Sequence, residues 1–78
     1  MRTYRKRQVL AAELGVSKRV TEDATYGLRK HKDRYPDGVI QSGKLTLLDR
    51  EMVLDWIKYR NALDVGTRVP AFRRENYQ

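Results

Sequence analysis

The stretch Arg34-Tyr-Pro-Asp-Gly-Val-Ile-Gln-Ser-Gly-Lys-Leu-Thr-Leu-Leu-Asp49 constrains the fold more than any other part of the chain. It carries four signals in a row. Tyr35-Pro36 ends whatever precedes it, because the proline ring pushes its predecessor out of the helical region. Asp37-Gly38 is turn chemistry. Val39-Ile40 and Leu45-Thr46-Leu47-Leu48 are β-prone runs, and Gln41-Ser42-Gly43-Lys44 between them reads as a hairpin tip with Ser-Gly supplying the reversal. Asp49 then offers a helix N-cap, with Glu51 in the first turn to match the helix dipole. Two strands alone are not stable in water. The hairpin must therefore lay its apolar side chains on helices to either side.

Those helices are legible from spacing. Val9, Leu10, Ala11 and Leu14 fit one buried face of a helix from about Arg5 to Leu14. Gly15 ends it where a left-handed cap is needed, and Val16 tucks the turn inward. A second helix starts at Ser17 or at Thr21, both good caps, and runs to about Asp33. Its buried face is expected at Val20, Ala24, Leu28 and His31, with Gly27 beside it for close approach of another helix or of a DNA backbone. A third helix begins after Asp49 and carries the stripe Met52, Val53, Trp56, Ile57 and Leu63, with Tyr59 at its edge. Lys58 and Arg60 are placed near its C-terminal dipole. Residues 1–6 read as a loose basic arm that Tyr4 pins to the domain. The division expected is a domain over 1–63 and a flexible basic tail over 64–78.

Helix, tight turn, helix, basic-tipped hairpin, helix is the order of a winged helix-turn-helix: mainly α, three helices plus a two-stranded hairpin wing. Ala11-x-x-x-Gly15 followed by Val16-Ser17 supports the turn. One departure is that the position five after Val16, normally apolar, is Thr21.

Charge narrows the class of partner. The chain of 78 residues has a net charge of +7 and a pI near 10.1. Residues 1–34 hold ten of the 17 Lys and Arg against four of the ten acids. Such a half favours a polyanion, because neutralised phosphates release condensed counterions. There are no cysteines, so disulfide scaffolds and cysteine zinc sites are excluded. No apolar run approaches a membrane span, and the basic start lacks the apolar core of a signal peptide. The expectation is a whole cytoplasmic, nucleoid-associated chain with no membrane partner.

Double-stranded DNA is the partner these residues suggest. On the second helix Lys18, Arg19, Thr25, Tyr26, Arg29, Lys30 and Lys32 offer cations and hydroxyls for phosphates and base edges. On the wing Gln41, Ser42 and Lys44 are placed to meet a backbone or minor groove. Glu22 and Asp23 lie among the first set and oppose phosphate.

Residues 35–53 resemble the wing and following helix of lambda-type phage excisionases, within the wider MerR-like winged helices. The shared features are an aromatic-Pro stop, the hairpin Ile40-Gln41-Ser42-Gly43-Lys44, hydrophobic strand positions and a helix from Asp49-Arg50-Glu51-Met52-Val53. By layout the likeness extends over about residues 7–60. It implies a small DNA-binding and DNA-bending factor that assembles in several copies on DNA and steers an integrase toward excision. Lys44 matches the wing cation, whereas the family's recognition-helix contacts do not transfer, because the turn differs in length. The resemblance also implies a basic tail that meets the integrase, a part open to Arg68, Arg73 and Arg74.

No catalytic constellation, cofactor or metal site is expected. His31 sits on a helix face as a packing residue, Asp49 and Glu51 are explained by capping, and neither Ser17 nor Ser42 has a histidine in reach. Two other roles fit the same residues: a small phage or plasmid transcriptional regulator, and a protein-interaction adaptor working through the arm and tail.

Overall fold

The computed structural model describes residues 2–78. The elements are β1 (Tyr4–Lys6), α1 (Arg7–Leu14), α2 (Lys18–Lys30), β2 (Val39–Ser42), β3 (Leu45–Asp49) and α3 (Arg50–Val65), followed by a 3-10 turn over Arg74–Tyr77. Three helices and a hairpin wing give the winged helix-turn-helix arrangement. The sheet has three strands, however, in the antiparallel order β1-β3-β2.

The third strand corrects the reading of residues 1–6 as a loose arm. Tyr4 pairs with Asp49, Arg5 with Leu48 and Lys6 with Leu47. The first helix consequently starts at Arg7, two residues later than expected. Tyr4 does pin the segment, donating its hydroxyl to the Asp37 carbonyl at 2.7 Å, and Arg2 donates to the Pro36 carbonyl at 2.9 Å. Met1 lies outside the described residues.

Each helix end has its cause. Gly15 takes φ 69° and closes α1 with Val16 N–H donating to the Ala11 carbonyl at 3.0 Å. Ser17 caps α2 through the Val20 N–H, and Asp49 caps α3 through the Met52 N–H. Helix α2 ends at Lys30, a turn short of Asp33, and His31 to Arg34 form the bend toward the hairpin. Helix α3 runs to Val65 and stops at Gly66, φ 83°. Lys58 and Arg60 are therefore mid-helix and meet ring faces, of Tyr59 and Trp56 respectively, instead of a terminal dipole.

The core is Leu10, Ala24, Leu28, Tyr35, Leu48, Met52, Val53 and Trp56, with Leu14, Val39, Ile57, Leu63 and Phe72 around it. Val9, expected inside, is exposed. On α2 the buried residues are Thr21, Ala24, Thr25 and Leu28, while Val20 and His31 are only half-buried. The face is turned toward the two threonines, and both hydroxyls are satisfied within the helix. Thr21 donates to the Lys18 carbonyl at 2.8 Å and Thr25 to the Thr21 carbonyl at 2.9 Å. Back-bonded in this way, a threonine presents its methyl group to the core. The missing apolar residue at position 21 is thus replaced by one that behaves as apolar. Gly27 lets α3 approach: a Cβ there would stand 2.0 Å from Trp56 Nε1.

Arg50 gathers both ends of the described chain. Its backbone N–H donates to the Thr3 carbonyl at 2.8 Å, and its Nη1 donates to the Tyr77 carbonyl at 3.3 Å.

Candidate nucleic-acid interface

Helical spacing divides the exposed side of α2 into two stripes. Lys18, Glu22, Tyr26 and Arg29, at i, i+4, i+8 and i+11, form the first. Arg19, Asp23 and Lys30 form the second. All seven are exposed, Tyr26 at 71% despite its aromatic ring.

The first stripe meets the wing at Arg29 and the start of α1 at Lys18 and Glu22. The guanidinium of Arg29 donates to Oε1 of Gln41 in β2, a side-chain bond between α2 and the wing that adds to the packing of Val39 on the core beside Leu28. Gln41 pairs with Thr46 and Ser42 with Leu45, so Gln41 and Ser42 both belong to β2 and the reversal is Gly43 and Lys44, one residue later than the expected Ser-Gly. Gly43 takes φ 60° at the first central position, the conformation a type II′ hairpin turn needs there. Lys44 follows it, exposed at the tip.

The second stripe is turned toward α3 and is partly neutralised. Lys30 pairs with Asp64 at 3.7 Å and Arg19 with Asp23 at 3.8 Å. Lys30 is thereby removed from the wing-side face. Lys32 lies beyond the helix and lines a cleft with Leu28, Arg29, Tyr35, Asp37, Gly38 and Val39. Thr25 corrects the expected set. It is 4% exposed, with its hydroxyl used inside α2, and belongs to no exposed surface. The reason is one of face, since residue 25 sits on the core side of Lys18.

Sequence reasoning missed Lys6, Arg7 and Gln8. They line a cleft of about 240 Å³ with Lys44, Leu45 and Thr46. Arg7 and Gln8 also line a second one with Lys18 and Glu22. The charges were visible in the sequence, but not the strand pairing that sets Lys6 beside the wing.

The tail is the largest departure from expectation. Residues 64 and 65 belong to α3, and the segment beyond them folds back over its first turns. Arg74 donates to both carboxylate oxygens of Asp49, at 2.9 and 2.8 Å, and to Glu51 at 2.9 Å. Asp49 is fully buried and Glu51 nearly so. Arg74 is accordingly not a free contact for a partner; hydrogen bonding to Asp49 raises its pKa further. Arg68 is exposed, and Arg73 is exposed beside Glu75 at 3.8 Å.

Next to this clasp, the buried carboxylate of Asp55 takes three donors. Arg34 Nε lies at 2.8 Å, the Tyr35 hydroxyl at 2.6 Å, and the Tyr77 hydroxyl completes the set. Burial, and then the bonds to Asp55, push both phenols well above their ordinary range. Burial works against the charge of Arg34, but the bonds to Asp55 and Tyr35 outweigh it. Phe72 stacks on Tyr77 and meets Tyr35 edge-on, which seals the cluster. This network braces the fold at the end of β3 remote from the wing tip.

Among the described residues no helix is long and apolar enough to cross a membrane. Comparisons of the chain with family models, with curated proteins and with solved structures returned no match.

Proposed function

We propose that this chain binds duplex DNA, with α2 in the major groove and the wing on the adjoining backbone or minor groove. The observation that carries the reading is the Arg29–Gln41 bond. It joins helix and hairpin, and Lys18 and Tyr26 on the helix and Lys44 on the hairpin are exposed. A helix of 13 residues is long enough to lie in a groove about 12 Å wide. Arg29 is the candidate for bidentate contact with a guanine edge, while Lys18 and Lys44 meet phosphates.

The more specific role is that of an excisionase-like, DNA-bending factor that promotes excision of a phage or mobile element by an integrase, acting at the nucleoid in several copies. Its support is the likeness of residues 35–53 to excisionase wings, together with an architecture in the expected order. Exposed Arg68 and Arg73 are the tail residues left for an integrase.

Arg29→Ala and Lys44→Ala are each expected to weaken duplex binding by about 1 kcal/mol or more. Gel-shift titration at low salt checks this, and unchanged affinity for both variants would reject the docking. Bending in a circular-permutation assay separates an architectural factor from a simple regulator.

A further inference from the structure

Two clefts that share Arg7 and Gln8 make one line from the wing tip to the start of α2, a trough that four cations line. Lys44 and Lys6 stand across its first part, Arg7 and Gln8 form its middle, and Lys18 closes it. They come from four separate parts of the fold. The register Lys6↔Leu47 is what carries the end of β1 down the sheet toward the hairpin reversal. Among the described residues none of the four makes an ion pair, whereas Arg19, Lys30, Arg34, Arg50 and Arg74 all do. Positive charge is therefore left uncompensated along this line. A single carboxylate, Glu22, lies at its far end. An elongated row of unpaired cations attracts a linear polyanion more strongly than a single point charge does.

We infer that this trough is a seat for one sugar-phosphate strand of duplex DNA, passing from the wing tip over the start of α1 to the first turn of α2. The inference rests on the DNA-binding reading and adds to it a continuous backbone track and three residues, Lys6, Arg7 and Gln8. Lys6 and Arg7 meet phosphates and carry no base preference. Gln8, neutral at the centre, sets how many charges the track holds.

The test is the salt dependence of binding to a short random-sequence duplex, followed by fluorescence anisotropy over a NaCl series. Each phosphate that the protein ceases to neutralise lowers the log–log slope by about 0.9. Lys6→Gln with Arg7→Gln should therefore flatten the slope by about twice that amount. Affinity should fall to the same degree on every sequence. Gln8→Lys should steepen the slope, an effect that loss of folding cannot imitate. Thermal melts of both variants verify that the fold is kept.

If neither variant changes the slope while Arg29→Ala still weakens binding, the trough is not a backbone track and the docking of α2 stands. If the unaltered chain binds no duplex, or binds polyglutamate in its place, the DNA reading and the trough fall together.

Discussion

Gly27 fixes how near α2 and α3 lie, and the residue scale is where that packing is most sensitive. Alanine would favour the helix by roughly 1 kcal/mol on propensity alone. Its methyl, however, would fall within 2.0–2.7 Å of three indole atoms of buried Trp56. Overpacking of this kind typically costs about 1–3 kcal/mol. Gly27→Ala is thus expected to lower the melting temperature, contrary to its propensity. The Asp55 cluster gives a second expectation. Tyr35 and Tyr77 hold their protons more tightly in the fold than in the unfolded chain. Their contribution is complete below about pH 10, the ordinary phenol value, and declines as pH rises from there toward the raised folded values. Chemical unfolding followed upward from neutrality should show stability falling above about pH 10, less steeply in Tyr77→Phe. Single positions are also where the sequence misleads. Spacing identifies Lys18, Tyr26 and Arg29 as exposed, because long or aromatic polar side chains on one stripe have little choice. It places Thr25 with them because a hydroxyl looks polar in a sequence. Nothing in the residue type shows that the hydroxyl is turned back onto the helix, leaving a methyl for the core.

Among the elements, the C-terminal segment departs most from its appearance in sequence. Residues 67–78 lack periodicity, and periodicity is what sequence reading detects. They are held by arginine-to-carboxylate bonds and a stacked pair of rings, which depend on the position of α3 and not on neighbours in sequence. Removing Arg74 leaves buried Asp49 without a cation and Glu51 with Arg50 alone, at 3.6 Å. Breaking a buried pair from one side costs about 3–5 kcal/mol. Arg74→Ala should destabilise the chain by that order in urea unfolding, and Arg74→Lys by less, since an ammonium keeps the charge but cannot span both oxygens of Asp49. The wing, by contrast, is legible in detail, from Pro36 through the Gly43 reversal to the Asp49 cap, because each step needs a particular residue type. Gly43→Ala should loosen the tip by about 1–2 kcal/mol, the strain of a left-handed alanine. If duplex affinity falls with it, a fixed wing tip contributes to binding.

At the scale of the whole molecule, β3 is the spine. It is the middle strand, begins at the wing and ends in the carboxylate that both caps α3 and holds Arg74. The order of helices and hairpin is readable from the chain alone, whereas β1 is not. A strand of three residues with two cations has no alternation strong enough to announce itself, and only its partner defines it. Arg50, just past β3, is bonded through its backbone to Thr3 and through its guanidinium to Tyr77, so one residue ties down both extremities of the described chain. A backbone ring closed by a flexible spacer between those two segments would leave the wing untouched. By restricting the unfolded ensemble it should raise the thermal midpoint while duplex affinity stays the same.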